Sequence, residues 1–291
     1  MNSETSQYLK FVVIHLLIGL AIFLVPPISK VYAITIILVG FRYVILRKNA
    51  NNEALYVAAY IVGAEVFLRM TQGNFFEQFA KYGVIGVLII GMMYRGFSKN
   101  AILYWIFGLL LMPGVILSFF TLNFETDIRK AITFNIIGPI TLAISSIYCY
   151  QRKISFENIK RIVDMLAYPL MATLVYMYLY TPSVKDVVTN TESNFETSGG
   201  FGPNQVSTIL GLGIFVFFVK IVLSSKTRLI RNINILFFVI ITFRGIVTFS
   251  RGGVITGFIM IIIVVALLLI YTRSYVKSKI VMLVVFGVIA L

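Results

Sequence analysis

Residues 254–271 read VITGFIMIIIVVALLLIY, eighteen positions without a charged side chain. At 1.5 Å per residue such a run makes a helix of about 27 Å, close to the thickness of a bilayer's hydrocarbon core. Working outward, runs of the same character recur near residues 11–25, 31–46, 54–70, 82–94, 101–120, 131–150, 162–181, 206–223 and 233–249, with another from Ile280 onward. That makes about eleven crossings. Composition agrees, with 59% hydrophobic and 12% charged residues and a mean hydropathy of +0.95. Backbone groups in lipid must pair internally, and helices do this within one segment. The expectation is an all-α, polytopic integral membrane helical bundle, a single transmembrane domain over residues 1–291.

Charge orients it. Lys and Arg number 25 against 11 Asp and Glu, a formal +14. With the N-terminus in the cytoplasm, the inner connections hold Arg47 and Lys48, Arg95 and Lys99, Arg152, Lys153, Lys160 and Arg161, then Lys226, Arg228 and Arg231, then Arg273, Lys277 and Lys279. Basic residues favour the cytoplasmic side, so the alternation fixes a multi-pass topology. The longest outer connection, residues 182–205, carries Asp186, Glu192 and Glu196 against Lys185 alone. No basic run is interleaved with aromatics on a soluble surface, which excludes nucleic acid as a partner. One cysteine, Cys149, and one histidine, His15, leave no disulfide and no His/Cys metal cluster, so neither metal nor cofactor is expected. Pro26-Pro27 follow the first apolar run where a cleaved signal would have small residues, so that run reads as a retained span. The last run stops at Leu291 with no polar flank, which reads as a C-terminal truncation.

Two outer segments can carry chemistry. Ser198-Gly199-Gly200-Phe201-Gly202-Pro203-Asn204-Gln205 is a glycine-rich entry to a helix, able to offer backbone N–H groups and a positive helix end to an anion, with Asn204 and Gln205 as neutral donors. Phe249-Ser250-Arg251-Gly252-Gly253 places an arginine on the side that disfavours it, and the two glycines leave room for a bulky ligand. Arg244 lies seven residues before Arg251, about 700° on a continuous helix, so both guanidinium groups would share one face roughly 10 Å apart. Burying Arg244 in a span costs about 2.5–3.5 kcal/mol, which calls for a wet cavity, an anion or a carboxylate. Two such arginines can grip a diphosphate. Arg129 and Lys130 are outer and basic, beside Glu125 and Asp127, and are further candidates for a substrate groove. Glu65 and Arg69, four residues apart, read as a structural ion pair. Gly253 and Gly257 read as close helix packing, and Asn135 and Asp164 as interhelical hydrogen-bond formers.

The run Thr248-Phe249-Ser250-Arg251-Gly252-Gly253, preceded by Gly202-Pro203-Asn204-Gln205 at the start of the span before, resembles the O-antigen ligase and polymerase superfamily. The likeness covers mainly residues 199–257. It implies a membrane-embedded glycosyltransferase architecture of the GT-C type in the bacterial inner membrane. It also implies transfer of a glycan from undecaprenyl diphosphate, on the periplasmic face, to lipid A-core or a growing polysaccharide. Arg251 matches the arginine of the family's Ser-Arg-Gly motif and is the expected catalytic residue, with Ser250, Gly202, Asn204 and Gln205 in substrate binding. Arg244 joins them from helical spacing alone. Members of the family carry a larger outer loop further along, with a histidine, and His15 does not match it. The competing expectation is a transporter or flippase for a lipid-linked or anionic solute, since basic cavities among helices also serve passage.

Overall fold

The computed structural model describes residues 3–121, 127–181, 183, 192–193 and 195–271. All regular structure among them is helical. Eight helical segments are long and apolar enough to cross a membrane, which makes this a helical membrane protein. Contacts divide the chain into two compact units, residues 1–182 with 199–201, and residues 183–198 with 202–291.

The first unit holds α1 (Ser3–Leu24), α2 (Ile28–Arg47), α3 (Glu53–Met70), α4 (Phe79–Arg95), α5 (Ile102–Leu110), α6 (Met112–Thr121), α7 (Ile128–Cys149) and α8 (Phe156–Tyr180). Pro26 and Pro27, which lack the N–H a helix needs, end α1 and start α2. Lys48, Asn49 and Asn52, all at positive φ, then turn the chain into α3. Hydroxyl and carboxylate caps open later helices: Asp127 accepts from the Lys130 N–H and Ser155 from the Asn158 N–H. Residues 101–120, expected as one straight span, form α5 and α6 with a break at Leu111, because Pro113 cannot donate to the turn before it.

Helix α3 packs against α2, α4 and α8 and is buried along most of its length. Gly63 lets it lie directly on the α8 backbone, since a Cβ there would sit 2.7 Å from the Leu166 carbonyl oxygen. Protein rather than lipid surrounds α3, which explains how it tolerates Glu53, Glu65 and Arg69. Glu65 and Arg69 form the expected pair at 2.9 Å. This charge load, and the 17-residue length of α4, keep α3 and α4 out of the eight spanning segments, so the expected eleven crossings are not all matched. The eleventh, from Ile280, lies outside the described residues, as do residues 182, 184–191 and 194 of the 182–205 connection.

The connections of this unit gather at two ends. At one, Arg152 donates to Asn52 Oδ1 at 3.2 Å and to the Gly96 carbonyl at 2.7 Å, joining the α2–α3, α4–α5 and α7–α8 turns. At the other, the Ser29 and Thr71 hydroxyls are hydrogen-bonded and Lys130 pairs with Glu77 at 3.3 Å. Between them the buried His15 donates from Nδ1 to the Phe11 carbonyl at 2.7 Å and accepts at Nε2 from the Tyr60 hydroxyl at 2.8 Å. Asn135 bonds within its own helix, to the Ala131 carbonyl at 2.9 Å, and not between helices as expected, because its side chain is on the exposed side of α7.

The second unit holds α9 (Pro203–Val219), extended by a π turn over Lys220–Ser224, then α10 (Arg228–Val247) and α11 (Arg251–Tyr271). Helix α9 packs on both neighbours and is the most buried of the three, with Phe217 stacked on Phe237 of α10 at 5.3 Å. Helix α11 buries only Val254 and Gly257, and so presents most of its apolar surface outward, as lipid allows.

Candidate functional site

Both sequence segments singled out for chemistry run into the first turn of a helix, as expected of the glycine-rich one, and α11 begins at Arg251, ahead of the expected Val254. Pro203 occupies the first position of α9, where its missing N–H costs nothing and its fixed φ suits a helix start. Gly202 caps it, its carbonyl accepting from the Val206 N–H at 3.1 Å. The Gln205 side chain folds back over Gly202, so that a Cβ on Gly202 would meet Gln205 Oε1 at 2.2 Å. Upstream, Gly199 and Gly200 take φ of +69° and +76° in the first unit, filling space beside Met70 and Tyr180. Those two glycines serve a turn and packing.

A three-residue turn, Thr248-Phe249-Ser250, joins α10 to α11. Phe249 adopts φ +54°, a left-handed conformation that breaks the helix. The turn is fastened internally: the Thr248 hydroxyl donates to the Gly245 carbonyl at 2.7 Å and accepts from the Ser250 N–H at 3.3 Å. This break corrects one expectation. Arg244 and Arg251 do not lie on one face of a continuous helix. Arg244 is fully buried in the last turn of α10 and has an interaction partner, whereas Arg251 is exposed in the first turn of α11.

The structure does bring the two segments together. The Ser250 hydroxyl donates to Asn204 Oδ1 at 2.9 Å, and the buried Ser207 hydroxyl donates to the Ser250 carbonyl. Beneath these bonds α9 and α11 touch backbone to backbone. A Cβ on Gly253 would lie 2.0 Å from the Ser207 carbonyl oxygen, and one on Gly257 would lie 2.5 Å from that of Gly211. The small-residue reading of Gly253 and Gly257 therefore holds. Only Gly252 is open, with nothing within 4 Å of its Cβ position, so the room expected from both glycines comes from one. Ser207 was missed in the sequence. Its signal was the spacing of Asn204, Ser207 and Gly211, three polar or small residues on one stripe of α9.

The N-terminal ends of α9 and α11 thus sit side by side, each carrying the partial positive charge of a helix start. Arg251 adds a full charge at the same place and makes no ion pair among the described residues. A cation there is disfavoured by about 0.3–1 kcal/mol, so Arg251 adds nothing to local stability. Because Asn204 engages Ser250 through its carbonyl oxygen, its amide N–H groups remain available. The cluster of Gly202, Asn204, Gln205, Ser250 and Arg251 offers no carboxylate, imidazole or thiolate to a metal. Arg129 and Lys130 belong to the first unit, where they border a groove of about 700 Å³ with Phe76, Gln78, Tyr82 and Phe134.

Compared with protein-family models, curated proteins and solved structures, the chain matches none.

Proposed function

We propose that the protein transfers a glycan from undecaprenyl diphosphate to an acceptor, lipid A-core or a growing polysaccharide, on the periplasmic face of the bacterial inner membrane. One observation carries this reading: an exposed arginine stands where two helix N-termini are hydrogen-bonded together. That combination suits a diphosphate, whose charge grows as it leaves. In the reaction an acceptor hydroxyl attacks the anomeric carbon and the bond from that carbon to the diphosphate oxygen breaks. The bonding electrons stay on the diphosphate, and the hydroxyl proton passes to a base. Arg251 stabilises the leaving group, bidentate contact being what guanidinium provides and ammonium does not. Asn204 and Ser250 orient the phosphates. The basic connections support a cytoplasmic N-terminus, with the start of α9 on the opposite side.

Arg251→Ala abolishes surface polysaccharide in cells while the protein reaches the membrane in normal amount; normal polysaccharide in that variant refutes the assignment. In cells lacking the protein, undecaprenyl-linked glycan accumulates in the outer leaflet. Accumulation in the inner leaflet would favour a flippase instead.

A further inference from the structure

The end of the first unit where the basic connections meet forms an open pocket of about 400 Å³, far along the chain from the glycine-rich motifs. Three cations line it, Arg95, Arg152 and Lys153, together with Asn52, Ser98 and Gln151, and no lining residue is acidic. The nearest carboxylate along the chain, Glu53, is buried and turned to other work, accepting from the Asn51 backbone at 3.0 Å and its side chain at 3.3 Å.

The Arg152 side of the pocket is fixed. Arg152 lies 3.9 Å over the Tyr148 ring and spends three of its five N–H donors on the Tyr148 carbonyl, Asn52 and the Gly96 carbonyl. Two donors remain. Asn49, wholly buried below, donates to the Gly91 carbonyl at 3.0 Å and the Tyr148 hydroxyl at 2.8 Å, and accepts from the Ala54 N–H at 3.0 Å. Ser98 donates to Gln151 at 2.8 Å across the rim. Asn49, Asn52 and Gln151 all hold left-handed backbones, with φ of 49°, 62° and 55°. Non-glycine residues keep such conformations where the surroundings over-determine them, a feature that accompanies ligand sites.

We propose that this pocket binds a phosphate-bearing ligand. Three cations lining one polar space, Arg152 clasped and Arg95 and Lys153 exposed, repel each other, and an anion with several acceptor oxygens relieves that repulsion. A phosphodiester or diphosphate fits both the volume and the donor count. The same chemistry is carried by an anionic lipid headgroup and by soluble pyrophosphate. This site is independent of the glycan-transfer reading.

The test uses purified protein and the double variant Arg95→Ala/Lys153→Ala, which leaves the Arg152 clasp intact. Binding of inorganic pyrophosphate is read by thermal shift in neutral detergent. Retention of phosphatidylglycerol over phosphatidylcholine is read by native mass spectrometry from mixed nanodiscs. The wild-type chain binds one of the two, and the double variant binds it roughly tenfold or more weakly. Pyrophosphate binding identifies a soluble ligand, and selective lipid retention alone identifies a headgroup. The control Arg47→Ala/Lys99→Ala removes equal charge from the same end without touching the lining and changes affinity by about twofold at most. Equal losses in both double variants, or no binding of either probe by the wild-type chain, overturn the proposal.

Discussion

Replacing Gly253 by alanine while leaving Gly252 alone separates the two glycines that follow Arg251. At position 253 the added Cβ falls 2.0 Å from the Ser207 carbonyl oxygen and 2.2 Å from its carbon, both backbone atoms that cannot rotate away. Helix α11 must withdraw from α9 by about 1 Å merely to reach 3.0 Å. That retreat carries the 2.9 Å Ser250–Asn204 bond beyond hydrogen-bonding distance and loosens the Ser207–Ser250 bond with it. Overpacking of this kind costs about 1–3 kcal/mol and each lost hydrogen bond about 1 kcal/mol. Against a total of roughly 3–5 kcal/mol, alanine's better helix propensity returns up to about 1 kcal/mol. The net expectation for Gly253→Ala is a destabilisation of roughly 2–4 kcal/mol. Gly252→Ala meets nothing within 4 Å and should be neutral or slightly stabilising. Reversible unfolding in mixed micelles measures both. Disulfide trapping between cysteines placed at 204 and 250 reports whether the helix starts still meet. If Gly253→Ala is as stable as Gly252→Ala and traps as readily, the backbone contact between α9 and α11 is wrong, and the site built on it falls too.

Ser250→Ala removes the link to Asn204 without altering charge, and should lower glycan transfer about tenfold with membrane insertion unchanged, as read from surface polysaccharide and protein level. Arg251→Lys, which keeps the charge and loses the planar fork, should retain only a minor part of the activity, and full activity would show that charge alone suffices. Asn49→Ala strips three hydrogen bonds from a buried position and should destabilise the first unit by roughly 2–4 kcal/mol in the same unfolding assay. His15→Phe fills similar space but leaves the Tyr60 hydroxyl without its acceptor, at a cost of about 1–3 kcal/mol, and a neutral result would deny the His15–Tyr60 bond.

Much of the fold was legible because lipid imposes a simple rule on the chain. Apolar runs bounded by basic turns became helices, and Pro26-Pro27 became the first reversal. Hydropathy does not distinguish a helix that faces lipid from one enclosed by protein. Helix α3 was read as another span like the rest, and only the structure shows the burial that lets it carry Glu53, Glu65 and Arg69. Of the site, the two motifs were legible, but neither their hydrogen-bonded association nor the relation of Arg244 to Arg251 was. The extrapolation assumed one helix across Thr248-Phe249-Ser250, and nothing in a phenylalanine announces a left-handed backbone. The clasp around Arg152 was invisible for another reason: it joins Asn52, Gly96 and Arg152, three positions distant in sequence whose meeting depends on the packing of α3.

Packing accounts for nearly every residue of the run from Thr248 to Gly253. Thr248 closes the end of α10, Ser250 ties α11 to Asn204, and Gly253 admits the α9 backbone. Even Phe249 has a structural task in reversing the chain. Arg251 has none that the fold requires: it is exposed, forms no ion pair among the described residues, and adds positive charge where two helix ends already supply it. A glutamate or aspartate would be the stabilising choice at that position. On the proposed reading, that arginine meets an anion from outside the chain, and a diphosphate rewards a guanidinium set between two helix N-termini.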